Sequence, residues 1–280
     1  MKLGISAEST IDLSPELLKE YDVRTIPFPI LFGEELKYDG QFTNQDIFNY
    51  VEQTGKIAKT SAINQFQYEQ LFEEMLKEYD EIIHIGFSSE LSSSFRNVVL
   101  AAERFNGKVH VIDSLSLSTG MGLLAMYARD LANENKDINE IVNLVKARVA
   151  KISLSFIVEK INYLHKGGRC SAMAALGANL FHIRPEIVMR EGKLYNDKKF
   201  RGLYSKTCEQ YVDDILATFP NPDLSHAFIT HCVDDPTIVE MAKQKLLAHG
   251  FKKIYITFTG CTITTHCGPN TLGLVFFYNL

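Results

Sequence analysis

Five serines stand within seven residues between Phe87 and Phe95, as Ser88, Ser89, Ser92, Ser93 and Ser94. They follow the apolar run 82–87 and precede a helix-like stretch near Phe95, so they sit where a strand hands over to a helix. In an open parallel sheet that junction lies at the carboxyl edge, where ligands collect beside the unpaired N–H groups of the next helix. Hydroxyls gathered there hold an oxyanion without a metal, although serine is also a preferred N-cap and one or two of the five need no further role. Three more stretches carry related groups. Lys59-Thr60-Ser61 precedes a helix introduced by Asn64, and its hydroxyls either cap that helix or face a ligand at its positive end. Residues 163–169, Tyr-Leu-His-Lys-Gly-Gly-Arg, close a short helix with paired glycines suited to a sharp reversal. Thr264-Thr265-His266-Cys267-Gly268-Pro269 sets a histidine among hydroxyls and a rigid turn, which assigns His266 to a loop, where functional groups concentrate.

Several enzyme chemistries can be weighed on these residues. Ser92, His266 and an acid such as Asp113 have the types of a hydrolase triad. The serine run lacks the Gly-x-Ser-x-Gly elbow that singles out a nucleophile. Gly120-Met121-Gly122 lacks the third glycine of a dinucleotide fingerprint, and no Walker loop occurs. Cys232, Cys261 and Cys267 fall near His231 and His266, but their spacing matches no standard zinc set. With Cys170 and Cys208 they make an odd number without a Cys-x-x-Cys pair, and small buried thiols are the better reading.

The elements that must position these groups follow a clear rhythm. Residues 2–6 begin a strand, and Ser14-Pro15 caps and opens a helix. Residues 23–32 contain Pro27 and Pro29, which assigns any strand there to a sheet edge. Thr43 to Asp46 forms a capping box. Segments 81–87, 92–105, 108–113 and 116–135 then alternate strand and helix, the signature of a parallel sheet with crossover helices. After a helix at 137–150 the grammar changes. Strands at 153–158, 184–190 and 193–198, the last two joined by Glu191-Gly192, read as hairpin architecture. Helices at 204–218 and 236–249 and strands at 227–232, 253–258 and 272–278 complete an α+β pattern. The fold class is therefore α/β, an N-terminal α/β domain (residues 1–150) with a parallel sheet and the hydroxyl-rich loops. A C-terminal α+β domain (residues 151–280) follows, with a mainly antiparallel sheet.

At 280 residues with 46% hydrophobic content, the chain suffices for two ordinary cores. A net charge of −5 without a Lys/Arg run excludes nucleic acid as the main partner. The start, Met1-Lys2-Leu3-Gly4, turns polar too soon for a signal peptide, and no apolar stretch approaches the roughly 20 residues that span a bilayer. The expected compartment is the cytoplasm.

Taken in order, the motifs resemble the DegV family of bacterial fatty-acid-binding proteins almost from end to end. Glu8-Ser9-Thr10-Ile11-Asp12-Leu13 is similar to the family's Asp-Ser-Thr-x-Asp-Leu, and Tyr38-Asp39-Gly40 to its Tyr-x-Asp-Gly. Lys59-Thr60-Ser61 matches the start of Lys-Thr-Ser-Gln-Pro, and Ser88-Ser89-Glu90-Leu91-Ser92 resembles Ser-Ser-x-Leu-Ser-Gly-Thr. Asp113-Ser114, Tyr163 to Arg169, Phe200-Arg201-Gly202 and Thr265 to Pro269 complete the series, the last resembling Thr-His-x-Gly-Pro. Glu8 in place of Asp, Ala62-Ile63 in place of Gln-Pro, and Ser93-Ser94 in place of Gly-Thr depart from the pattern.

The resemblance implies a DegV-like two-domain fold that binds a long-chain fatty acid without catalysis or a cofactor. It further implies presentation of that lipid to a separate fatty acid kinase, whose acyl phosphate feeds phospholipid synthesis. On that reading Thr60, Ser61, Ser92 and Ser93 contact the carboxylate, Thr265 and His266 help to position it, and Arg169 and Arg201 dock the kinase. A sixteen-carbon tail buries about 14 methylenes at roughly 0.8 kcal/mol each, which needs no salt bridge at the head group. Residues 121–126 and 172–178 are apolar enough to line the tail. A serine-dependent hydrolase or acyltransferase using Ser92 and His266, and a lipid sensor without a kinase, are the competing readings.

Overall fold

Strand β1 (Leu3–Glu8) is buried along its whole length, which requires a sheet covered on both faces. The computed structural model describes residues 2–170 and 183–279. In it β1 pairs in parallel with β2 (Val23–Ile26) and β6 (Glu81–Gly86), and β6 pairs with β7 (Val109–Asp113), giving the order β2-β1-β6-β7. Between and after these strands run α1 (Pro15–Glu20), α2 (Asn44–Thr54), α3 (Gln65–Met75), α4 (Ser94–Ala102), α5 (Thr119–Asn133) and α6 (Ile138–Val149). Four of them start where local chemistry dictates. Ser14 and Asp137 accept N-terminal N–H groups, and Thr43 and Asn64 form reciprocal capping boxes with Asp46 and Gln67.

The segment 23–32 meets the expectation of an edge strand in its first half only, where β2 is the edge of the parallel sheet. It breaks at Pro27, and its second half, β3 (Pro29–Phe32), becomes the middle of a small antiparallel sheet between β4 (Glu35–Tyr38) and β5 (Lys59–Thr60). Pro29 is tolerated there because it is the first residue of the strand. Strands of two to four residues carry too little period to be read from sequence.

In the second half, β8 (Ile152–Val158), β9 (Ile183–Arg190), β10 (Lys193–Arg201), β11 (Pro222–His231), β12 (Lys253–Phe258) and β13 (Thr271–Tyr278) form one sheet in the order β10-β9-β8-β13-β11-β12. Every pairing is antiparallel except β11 with β12. Glu191 and Gly192 turn the β9–β10 hairpin with φ of 49° and 79°, the positive values a tight primed turn demands. Helices α7 (Ile161–Gly167), α8 (Tyr204–Thr218), α9 (Pro236–His249) and α10 (Cys261–Cys267) accompany it.

Alternation along β13 shows how the halves join. Leu272, Leu274 and Phe276 pack with Tyr211 and Leu246 from α8 and α9. Val275 and Phe277 face the other way, into a cluster shared with β1, β6 and α5. All strands of the parallel sheet precede residue 150 and all those of the six-stranded sheet follow it, yet this apolar cluster draws on both. Helix α5 lies between the two sheets, and residues 121–126 are core there. The apolar stretch 172–178 lies outside the described residues. No helix among the described residues is long and apolar enough to cross a membrane.

Candidate functional site

His266, expected in a loop, lies in helix α10 (Cys261–Cys267), with Gly260 as N-cap and Gly268 beyond its end. The threonines of this helix are poor helix formers, which hid it from the sequence pattern. Tertiary bonds hold it instead. Asp12 Oδ1 accepts the Gly260 N–H at 2.8 Å, while Asp39 accepts those of Cys261 and Thr262 at 3.1 and 3.2 Å and the Thr262 hydroxyl at 2.7 Å. At the far end, His266 Nε2 lies 2.9 Å from Thr60 Oγ1 on β5.

The other face of that ring is set by a glycine. A Cβ on Gly167 would stand 2.5 Å from His266 Nδ1, so the first of the paired glycines is needed for close approach, while the second, Gly168, makes the turn with a φ of 68°. Gly167→Ala is expected to push the imidazole off Thr60, which a shift of the His266 ring nitrogen signals by NMR would register.

The serine run is organised by its own hydrogen bonds. Ser92 Oγ donates to Ser94 Oγ at 3.0 Å and accepts the Ser94 N–H, while Ser94 Oγ also accepts the Ile63 N–H at 3.1 Å. Asn97 returns a bond to the Ile63 carbonyl at 2.7 Å. A proline at position 63 would have no N–H to give, so the departure at 63 is what allows this bond, which ties the serine loop to the Thr60 segment. Ser88 instead donates to the Gly192 carbonyl at 2.8 Å, bringing the β9–β10 turn over the loop.

These segments enclose a narrow cleft, part of it open to solvent. Thr60, Ser61, Ser92, Thr262 and His266 supply its hydroxyls and imidazole, and Phe28, Phe87, Leu91, Leu117, Leu164, Leu194 and Ile263 its apolar wall. A second, smaller pocket shares Leu117, Ile263 and Cys267 with it and continues along the six-stranded sheet to Leu154, Phe156 and Val275.

The predicted residues separate on this geometry. Thr60, Ser61, Ser92 and His266 meet at the cleft. Ser93 is exposed at the start of α4, away from the lining, because the turn that faces Ser92 inward leaves its neighbour outside. Thr265 is buried and donates its hydroxyl to the Cys261 carbonyl at 2.8 Å, so it serves the helix. Arg169 reaches the cleft, with Nη1 on the Gly167 carbonyl at 2.9 Å, and is the one charged side chain among the described lining residues. Arg201 is exposed at the end of β10. The positions of Asp12 and Asp39 at α10 were not read from the sequence, although both stand in motifs quoted above.

Electrostatics define what the polar end offers. Burial, and next the nearby Arg169 charge, pull the His266 pKa down to about 4, so the ring is neutral at ordinary pH. Nδ1 is buried with no hydrogen-bond partner among the described residues. The favourable tautomer therefore places the proton on Nε2, which donates to Thr60 Oγ1 and leaves the Thr60 proton free for a ligand. A Ser92–His266–Asp113 triad is not assembled: Ser92 bonds to Ser94, His266 to Thr60, and Asp113 accepts the Ser89 and Leu115 N–H groups. No cluster of three metal-ligating side chains occurs among the described residues.

Comparison with known proteins places this arrangement. A family model described as "Uncharacterised protein, DegV family" matches residues 2–279. A DegV domain-containing protein of Clostridium perfringens is 29% identical, with 98% of this chain and 97% of that one covered. A Thermotoga maritima protein named fatty acid-binding protein is 26% identical, with coverage of 98% and 96%. A DegV family protein from Thermus thermophilus, described as fatty acid binding, superposes with a TM-score of 0.91 over 100% of both chains at 24% identity, which shows the shared fold.

Proposed function

Because the chain belongs to the DegV family, whose members bind fatty acids, we propose that its cleft holds the carboxyl end of a long-chain fatty acid. The observation that carries this reading is the Thr60–His266 contact of 2.9 Å at the polar end of a cleft whose remaining wall is largely apolar. Thr60 and Ser61 donate to the carboxylate, Ser92 joins them by turning its hydroxyl proton from Ser94 to the ligand, His266 orients Thr60, and Arg169 adds positive charge at the mouth. The tail runs past Leu117 and Ile263 toward Leu154 and Val275 on the six-stranded sheet.

The protein is, on this reading, a non-catalytic cytoplasmic carrier that needs no cofactor. It offers the bound acid to a separate fatty acid kinase for acyl-phosphate formation, with exposed Arg169 and Arg201 on the docking face. Neutral hydroxyls suit that role, since they hold a carboxylate without locking it in a buried ion pair. The hydrolase reading is disfavoured because His266 is bonded to Thr60 and Asp113 to the Ser89 and Leu115 N–H groups, so neither serves Ser92 as a base.

Denaturing mass spectrometry of the purified protein tests this. A stoichiometric, non-covalent long-chain fatty acid is expected, and Thr60→Val and Ser92→Ala should each lower retention about tenfold, as loss of a hydrogen bond to a charged group does. An acyl-serine adduct, or full retention by both variants, would overturn the assignment.

A further inference from the structure

Helix α10 spans seven residues, about 10 Å at 1.5 Å per residue. The outer strands of the β4-β3-β5 sheet stand about 9.6 Å apart at roughly 4.8 Å per spacing. The two lengths match, and the sheet grips the helix at both ends. Asp39, the residue after β4, takes the N–H groups of Cys261 and Thr262, while Thr60 on β5 meets His266 in the last turn. Asp12 takes the Gly260 N–H and, through its other oxygen, the Ser118 hydroxyl at 2.5 Å.

The helix has no means of its own to fix its start. Gly260 offers no capping side chain, and the first turn contains no acidic residue. Its caps come from residues 222 and 248 positions away in the chain. A seven-residue, threonine-rich helix is unstable alone, so its position is the one its end contacts impose. We propose that Asp39, with Asp12 beside it, is a positioning residue for the head-group site: by holding the start of α10 it sets where His266 meets Thr60. The effect on lipid rests on the fatty-acid reading above; the effect on His266 does not.

The test uses the full chain carrying Asp39→Asn, with palmitate as the probe and Thr60→Val as the reference for a broken contact. Asparagine keeps the shape but presents an amide N–H₂ to one side of a donor cluster. The expected result is a His266 Nε2 signal displaced as in Thr60→Val, together with about tenfold weaker palmitate binding. Weakened binding with an unmoved His266 signal, or a moved signal with unchanged affinity, would overturn the proposal. If wild type binds palmitate and Asp39→Asn matches it in both readouts, the positioning role fails and the fatty-acid reading stands. If no protein binds palmitate but the signal moves, the lipid reading fails and the positioning role stands. Should Asp39→Asn not fold, Gly260→Ala is read in the same way, because its methyl would stand 2.8 Å from Asp12 Oδ1.

Discussion

Replacing Glu8 by alanine is expected to destabilise the protein by about 3–5 kcal/mol, because several buried donors lose their acceptor at once. Glu8 is fully buried at the end of β1. Its Oε1 accepts the Tyr68 hydroxyl at 2.7 Å and lies 3.3 Å from His84 Nε2, and its Oε2 accepts the Phe87 N–H at 2.9 Å. Ser6 meets the other nitrogen of His84 at 2.9 Å. Alanine would strand the tyrosine hydroxyl, the amide and the imidazole together, away from water. Burial pushes the Glu8 pKa up, but His84 and the hydrogen bonds outweigh it and the net direction is down. Stability from this carboxylate is therefore complete above the unfolded glutamate pKa and disappears as pH falls through the folded value. Urea titration at neutral pH should show the full loss for Glu8→Ala and a smaller one for Glu8→Gln, which keeps the shape. Equal midpoints for wild type and Glu8→Ala would refute this account. The site would feel the change, because Phe87 opens the serine loop and lines the cleft.

Asp12 predicts the opposite slope in a different pH window. Burial raises its pKa to about 8, with the neighbouring Asp39 charge adding to the rise and the Ser118 and Gly260 bonds opposing it. Between the unfolded carboxylate pKa and about 8 the folded protein holds a proton that the unfolded chain releases. The contribution is thus whole in acid and lost as pH rises through that range, on the order of 5 kcal/mol in total. Asp12→Asn mimics the protonated group: its carbonyl oxygen still accepts from Gly260 and its amide donates to Ser118. Thermal melts should find the variant's advantage over wild type small near pH about 4 and growing steadily until pH passes about 8. Parallel stability curves across that range would show that Asp12 does not titrate in this way.

What could be read along the chain was whatever depends on near neighbours. The caps at Ser14, Thr43, Asn64 and Asp137 were visible because a side chain and the N–H it accepts lie two or three residues apart. Helices α8 and α9 kept their expected limits, and the positive φ of Glu191 and Gly192 bears out the hairpin. The strand–helix alternation led to the parallel sheet for the same reason. Thr60, Ser92 and His266 could be named from residue type and motif order.

Their mutual placement could not. The helical state of His266 depends on Asp12 and Asp39, more than two hundred residues earlier, and no local pattern carries that information. Ser92 and Ser93 are equivalent as letters; the packing of Ser94 against Ile63 turns one inward and the other out. Arg169 entered the cleft because Gly167 lets α7 close on the imidazole, a contact that appears only once two distant helices meet. The sequence by itself determined the elements, their caps and the chemistry available, since these follow from short-range bonding. Only the tertiary structure decided which hydroxyls share the cleft and which of the two threonines near His266, Thr60 or Thr265, is bonded to its ring, because both depend on where long-range contacts anchor one short helix.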